Sequence, residues 1–330
     1  MIISKTPFRI SFFGGGTDYP VWFKENGGSV LATTINKYCY LSCRFLPPFF
    51  EHKHRIVYSK VECVKSNDEI QHPSVRAVLE YLKLENGLEI HHDGDLPARA
   101  GLGTSSAFTV GLLHALYALK GKMPQKKQLA KDAIHLEQNV LKEYVGCQDQ
   151  ILAATGGFNQ IEFLKENDFL ITPITISKER LLDLQSHLLL FFTGLSRTAS
   201  EMAKTQIEKI PQNEKHLFAM KEMVYEAINV LNSGQDIKEF GKLLHESWML
   251  KRSLCENITN TEIDKIYSTA RENGAIGGKL LGAGGGGFFL IFARPEDQPK
   301  IIDKLNHLIR VPFEFEDTGS QIIIYQPDYL

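Results

Sequence analysis

One glycine-rich segment most constrains what this chain can fold into, and it reads Gly101-Leu102-Gly103-Thr104-Ser105-Ser106. It follows a loop rich in Gly, Asp and Pro, and it precedes an apolar run with helical spacing from Val110 to Leu119. A helix is therefore predicted from Thr104 or Ser105 to Gly121, with either residue able to cap it. Its first backbone N–H groups and the positive end of its dipole would face whatever occupies the loop, which favours a phosphate.

A Gly-x-Gly pattern beside a helix also fits a tight turn that only packs the helix. Ser105 and Ser106 favour phosphate binding, because hydroxyl groups at such a helix start can reach a phosphate-bound Mg²⁺. The P-loop pattern G-x-x-x-x-G-K-[ST] does not occur in the sequence.

Two further glycine clusters lie at Gly14–Gly16 and Gly282–Gly287. The second contains G-x-G-x-x-G, so a nicotinamide-dependent dehydrogenase is an alternative. That fingerprint must open a helix, whereas the run Phe288–Phe292 is typical of a strand, and we therefore reject the dehydrogenase. These glycines either allow close backbone approach or contact a ligand directly.

Two acidic residues are candidates for chemistry. Glu137 follows Ile134 by three positions on the apolar face of a helix that begins near Pro124, so it is either a metal ligand or half of a buried salt bridge. Asp149 follows twelve residues later, close enough for helix and loop to converge. Taken alone, Asp149 also fits a simple helix N-cap.

Composition excludes several classes of protein. The 330 residues are 43% hydrophobic and 23% charged, and 37 basic residues balance 39 acidic ones. This balance predicts no nucleic-acid or membrane partner. The five cysteines contain no C-x-x-C pair, and no signal peptide or long apolar span is visible, so we expect a cytoplasmic protein.

The order of elements predicts an α+β protein of two domains. Strand-like runs at Phe8–Phe13, Val30–Ile35, Tyr38–Phe45 and Arg55–Val64 precede the helices, and short strands return after Gly157. We place an N-terminal domain at 1–165 and a C-terminal domain at 166–330.

The three glycine segments, in this order, resemble the signatures of the GHMP kinase superfamily, named for galactokinase, homoserine kinase, mevalonate kinase and phosphomevalonate kinase. Thr6–Arg9 with Gly16–Tyr19 resembles the first signature, Pro97–Ala107 the phosphate loop and Lys279–Gly287 the third. The resemblance implies an N-terminal domain like domain 2 of ribosomal protein S5 and a ferredoxin-like C-terminal domain. It also implies use of ATP and Mg²⁺.

The same resemblance implies roles for single residues. Asp149 matches the catalytic aspartate and Arg9 the basic residue beside it, where it would favour the ionised carboxylate. Ser105 and Glu137 match the metal ligands, and the segment 101–106 matches the phosphate loop. The remaining positions are implied to bind substrate: Asp18, Gly15, Gly16, Thr17, Gly284 and Gly285.

Within the superfamily, the segments 69–73, 96–103 and 278–284 are most similar to those of bacterial D-glycero-D-manno-heptose 7-phosphate kinases. This similarity implies transfer to the anomeric hydroxyl, a 1,7-bisphosphate product and a place in nucleotide-activated heptose synthesis for capsule or lipopolysaccharide. A phosphorylated substrate needs a basic pocket, for which Arg197 is a candidate with Lys204 two turns on; a solvated arginine is the alternative. The alternative functions are a fucokinase-type sugar 1-kinase and a non-catalytic sugar or nucleotide sensor.

Overall fold

The computed structural model describes residues 1–98, 100–195 and 199–327. The helices are α1 (Pro20–Asn26), α2 (Pro73–Leu82), α3 (Thr104–Leu119), α4 (Lys126–His135), α5 (Gln148–Thr155), α6 (Lys178–Ser186), α7 (Ala199–Glu208), α8 (Glu214–Asn232), α9 (Lys238–Leu254), α10 (Thr261–Glu272) and α11 (Gln298–Lys304). The strands are β1 (Ile2–Phe13), β2 (Gly28–Phe45), β3 (His54–Val57), β4 (Val61–Val64), β5 (Leu88–Gly94), β6 (Phe158–Phe163), β7 (Phe169–Pro173), β8 (Leu188–Phe192), β9 (Ala275–Leu280), β10 (Phe288–Ala293), β11 (Ile309–Arg310), β12 (Phe315–Glu316) and β13 (Gln321–Tyr325). The predicted α+β class is confirmed.

Within the described residues, nine strands form the first sheet in the main order β13-β1-β2-β5-β3-β4. The long strand β2 also pairs with β6 and β12, and β6 pairs with β7. Strands β7, β12 and β13 therefore belong to this sheet although they follow residue 165. The division at 165/166 stays a prediction about folding units.

The second sheet is antiparallel, with four described strands in the order β11-β8-β10-β9. Strand β10 follows directly after the glycine loop 282–287. A strand was predicted here, whereas a dinucleotide-binding fingerprint would need a helix. Helix α9 packs on β9 with Trp248 fully buried against Phe289, at a ring distance of 5.6 Å.

Phenylalanine rings join the two sheets. Phe240 of α9 contacts Phe12 and Phe13 of β1 edge-on, at centroid distances of 5.4 and 5.1 Å, and Phe292 of β10 at 6.2 Å. Buried aromatic contacts of this kind fix the relative position of the layers they join. The residues between the sheets are therefore held in a defined arrangement.

Three predicted strands differ from the structure. Val30–Ile35 and Tyr38–Phe45 are one strand, β2, because Asn36 is paired with Glu314 through two hydrogen bonds of 2.9 and 2.8 Å. Arg55–Val64 is the hairpin of β3 and β4. Among the described residues, no helix is both long and apolar enough to span a membrane.

Candidate active site

A partly buried ion pair lies in the site. Strand β1 places Arg9 beside Asp149, which lies in the first turn of α5. The guanidinium Nε lies 2.7 Å from Asp149 Oδ1 and its second nitrogen 2.8 Å from Oδ2. The remaining guanidinium nitrogen donates to the carbonyl oxygen of Gly101 at 2.7 Å. Arg9 therefore connects the carboxylate to the glycine loop, and Asp149 is not the N-cap, which is Cys147.

The glycine loop needs its glycines for conformation and for space. Gly101 and Gly103 have φ angles of +83° and +71°, which disfavour other residues. A Cβ at Gly103 would lie 3.2 Å from Arg9 Cγ and 3.3 Å from Asp149 Oδ2. Helix α3 begins at Thr104, but its N-cap is Gly103 and no side chain caps it, so capping by Thr104 or Ser105 was a wrong prediction. Its first N–H groups thus lack a side-chain cap at the site where an anion is expected.

Glu137 is fully buried in a π-helical turn, Leu136–Val140, that extends α4. Its Oε2 accepts hydrogen bonds from Ser106 Oγ at 2.9 Å and from the Gln150 side-chain amide, and Oε1 has no hydrogen-bond partner. Burial raises the pKa of Glu137 to about 7, and the neighbouring hydroxyl and amide groups offset this only in part. The described residues provide no cation that pairs with it and thus no partner for the predicted salt-bridge alternative.

A magnesium ion is compatible with this arrangement. Glu137 offers an unpartnered carboxylate oxygen, and a hydroxyl neighbours it. No group of three or more His, Cys, Asp or Glu side chains able to hold a metal occurs in the described part of the chain. Mg²⁺ typically uses one or two carboxylates together with phosphates and water, so such a group is not required. Ser106, rather than Ser105, contacts Glu137, while Ser105 is exposed at the cavity.

Asp18 lies on another wall of the site. Its Oδ1 accepts from the backbone N–H of Gly16 at 3.1 Å, and its Oδ2 accepts from the Gln148 side-chain amide at 3.0 Å. Burial and the nearby Asp149 carboxylate raise the pKa of Asp18. A Cβ at Gly146 would lie only 1.8 Å from Asp18 Oδ2, so the backbone at Gly146 lies directly against the carboxyl group and leaves no room for a side chain.

Arg9, Asp149, Asp18 and the glycine loop surround one cavity of about 260 Å³, whereas the fully buried Glu137 does not line it and contacts the lining residue Ser106. The cavity lining includes Arg9, Gly15, Gly16, Asp18, Gly101, Gly103, Thr104, Ser105, Ser106 and Asp149. The structure thus brings together most of the predicted site residues from segments far apart in sequence.

Other predicted residues lie away from the cavity surface. Leu102 is a core residue, and the buried Thr17 hydroxyl has the carbonyl oxygens of Gly14 and Ser29 within hydrogen-bond distance, at 2.8 and 2.9 Å. Gly284 and Gly285 pack against Ile258, and their neighbours Gly282 and Ala283 line the cavity instead. Arg197 lies outside the described residues; Lys204 Nζ lies 5.7 Å from the ring centre of Tyr144.

The cavity residues that the sequence predictions missed include two lysines, Lys251 of α9 and Lys279 of β9. In the sequence, Lys251 lies beside Arg252 at the basic end of a helix. Such residues are usually solvated, so the sequence did not indicate that Lys251 is buried. Lys279 belongs to the third glycine segment but had no assigned role. Gln150, which donates to Glu137, could have been found from its position next to Asp149.

Comparison with known proteins agrees with this geometry. Residues 71–157 match the family described as GHMP kinases N terminal domain, and residues 220–310 match GHMP kinases C terminal. A curated relative from Campylobacter jejuni, named D-glycero-alpha-D-manno-heptose 7-phosphate kinase, is 29% identical over 92% of this chain and 93% of its own length. The bifunctional fucokinase/GDP-fucose pyrophosphorylase of Arabidopsis thaliana is 25% identical over 90% of this chain, which spans 30% of that relative.

Solved structures share the whole fold. The structure of a D-glycero-D-manno-heptose 1-phosphate kinase from Bacteroides thetaiotaomicron superposes with a TM-score of 0.79 and 25% identity, covering 99% of this chain and 100% of that one. Lactococcus lactis galactokinase, with a TM-score of 0.76 and 16% identity, covers 97% of this chain and 94% of its own and shows the same fold. Because the two family matches together span more than half of the chain and carry the phosphate loop and the third glycine segment, the chain belongs to the GHMP kinase family and is an ATP-using kinase.

Proposed function

We propose that this kinase transfers the terminal phosphoryl group of ATP to the anomeric hydroxyl of D-glycero-D-manno-heptose 7-phosphate, giving the 1,7-bisphosphate. One observation carries the proposal: the Arg9–Asp149 pair is joined to the glycine loop through Gly101 and faces the same cavity as the start of α3. A carboxylate thereby stands beside the expected position of the transferred phosphoryl group.

In this proposal, the loop 101–106 holds the triphosphate. Its backbone N–H groups and the start of α3, which carries no side-chain cap, supply donors and positive potential for phosphate oxygens. Glu137 and a hydroxyl of Ser105 or Ser106 would hold Mg²⁺. The ion, when bound, neutralises charge on the phosphates.

Asp149 receives the proton of the attacking hydroxyl. Each of its oxygens accepts one hydrogen bond from Arg9 and keeps a lone pair for the substrate. The sugar oxygen forms its bond to the terminal phosphorus while the bond to the ADP oxygen breaks, and the proton passes to Asp149. Arg9 orients the carboxylate with a bidentate contact.

Asp18 binds the sugar in this proposal. Its two oxygens are fixed by Gly16 and Gln148, and its buried position makes a hydrogen bond from a sugar hydroxyl favourable. Gly15 and Gly16 allow the ring to approach the backbone of this wall.

The choice of a heptose phosphate is supported by the names of two relatives. The Campylobacter jejuni relative is named for heptose 7-phosphate, and the Bacteroides thetaiotaomicron structure for a heptose 1-phosphate kinase. The two names differ in the position of the phosphate but share the sugar. A fucokinase-type activity is the second candidate, favoured by relatives at 25% and 26% identity in Arabidopsis thaliana and Bacteroides fragilis.

A coupled assay of ADP release tests the proposal with heptose 7-phosphate, fucose and galactose side by side. We expect the largest kcat/KM for heptose 7-phosphate. Faster turnover of fucose would replace the proposal with the second candidate, and no ADP release with any sugar would favour a sensor on the kinase fold.

A further inference from the structure

Two lysine side chains line the cavity but have no role in the proposed mechanism. Lys251, in the last turn of α9, is 8% exposed, and Lys279, in β9, is 3% exposed. Both line the cavity that contains Arg9 and Asp149. Lysine is almost never this deeply buried without a partner for its charge.

Their partners in the described structure are neutral carbonyl oxygens. Lys251 Nζ donates to the carbonyls of Leu280 and Gly282 at 2.9 and 2.6 Å, and Lys279 Nζ donates to the carbonyl of Phe12 at 2.7 Å. An ammonium group has three N–H donors. One donor of Lys251 and two of Lys279 thus stay available, and no carboxylate among the described residues forms an ion pair with either side chain.

The charged neighbours of these lysines are cations. Burial and the nearby Arg9 lower the pKa of Lys251 to about 7. Burial, Lys251 and Arg9 lower the pKa of Lys279. Two carboxylates that line the same cavity have partners of their own: Asp149 is engaged by Arg9 through both oxygens, and Asp18 accepts hydrogen bonds from Gly16 and Gln148. The two buried amines therefore repel each other when both are protonated, and an anion bound between them would stabilise the charged form of both.

We propose that Lys251 and Lys279 form a buried subsite for a phosphate group, which they bind through charge-assisted hydrogen bonds. Two different phosphate groups could bind at this subsite. One is the phosphate that the acceptor sugar already carries, and this source rests on the proposed function. The other is the terminal phosphate of the nucleotide, since Lys251 binds the carbonyl of Gly282, a glycine packed against Gly101 of the phosphate loop.

Calorimetric binding of three ligands distinguishes the two sources: heptose 7-phosphate, the unphosphorylated heptose and a non-hydrolysable ATP analogue. The variants are Lys251→Met and Lys279→Met, which keep the length of the side chain but remove its charge. Lys242→Met is the matched control, because Lys242 lies on the same helix α9 with a side chain that is 60% exposed.

We expect each buried-lysine variant to raise the Kd of one phosphorylated ligand at least about tenfold, while the control leaves it unchanged. A loss confined to heptose 7-phosphate supports the acceptor as the source, and a loss confined to the ATP analogue supports the nucleotide. Unchanged affinities, or an equal loss for the unphosphorylated heptose, overturn the subsite. If the wild-type protein binds the ATP analogue but not heptose 7-phosphate, the proposed function fails. The Kd of the ATP analogue in the lysine variants then still tests the subsite.

Proton uptake on binding gives a second measurement, made on the wild-type protein and on Lys251→Met. At about pH 8 the free Lys251 amine is mostly uncharged, and a phosphate dianion beside it raises its pKa, so binding takes up a proton. Burial also lowers the pKa of Lys279, and the same phosphate would raise it. Binding heats in two buffers of different ionisation enthalpy measure this uptake without added Mg²⁺. Uptake that Lys251→Met reduces supports the subsite; if the variants do not fold, the absence of uptake in the wild-type protein overturns it.

Discussion

Arg9 holds both carboxylate oxygens of Asp149, with nitrogen–oxygen distances of 2.7 and 2.8 Å. The pair joins strand β1 to helix α5, and only 24% of the Asp149 side chain is exposed. The contact orients the carboxylate toward the cavity. A substitution that keeps the shape of the Asp149 side chain can therefore test the role of its charge alone.

Replacing Asp149 with Asn keeps the shape and removes the proton acceptor. We expect kcat to fall by about 10²–10⁴-fold, the range for loss of a positioned general base. The Kd of ATP should stay within about twofold, because the loop 101–106 holds the phosphates. Steady-state kinetics and nucleotide titration measure the two quantities; near-normal turnover would remove Asp149 from the mechanism.

Replacing Arg9 with Lys tests the bidentate contact. Lysine keeps the positive charge but offers a point contact in place of the planar fork, so Asp149 loses its fixed orientation. We expect kcat to fall by about tenfold or more. An unchanged kcat would show that the charge of Arg9 is sufficient.

Glu137 predicts a dependence of stability on pH. Its pKa is about 7 in the folded protein, above the ordinary value of 4.5 that we expect in the unfolded chain, so the folded protein binds the proton more tightly. The protonated carboxyl therefore stabilises the fold below pH 4.5, and this contribution is lost as the pH rises to about 7. Without Mg²⁺, the Tm of the wild-type protein should fall more between pH 5 and pH 8 than that of Glu137→Gln. Parallel curves for the two proteins would contradict the buried, unpaired carboxylate.

Gly146→Ala tests the placement of Asp18. The added methyl group would meet Asp18 Oδ2 at 1.8 Å, so the carboxyl group must move. We expect the KM for the sugar to rise at least about fivefold while the KM for ATP changes little, since one hydrogen bond to a charged group contributes about 1.5–3 kcal/mol. Equal increases for both substrates would indicate a general disturbance of the cavity.

Local patterns predicted the parts of the site that depend on neighbouring residues. Helical spacing placed Glu137 on a buried face, and the glycine segment before an apolar run predicted a helix start at Thr104 or Ser105, of which Thr104 is the first residue of α3. The GHMP fold was implied by three short motifs in order and is confirmed by the comparisons.

Long-range contacts account for what the sequence did not predict. Strand β2 continues through Asn36 because Glu314, far away in the chain, pairs with it. Lys251 lies in a basic helix end that looks solvent-exposed, and its burial comes from carbonyls of Leu280 and Gly282. No local periodicity contains such information.

The product of the reaction tests the central claim most directly. Phosphorus NMR of a mixture of wild-type protein, ATP, Mg²⁺ and heptose 7-phosphate should show ADP and, in equal amount, a second phosphate on C1 of the sugar. The same mixture with Asp149→Asn should show neither at matched times. A sugar product phosphorylated at another carbon, or an unchanged heptose 7-phosphate while another sugar is turned over, would contradict the proposed function.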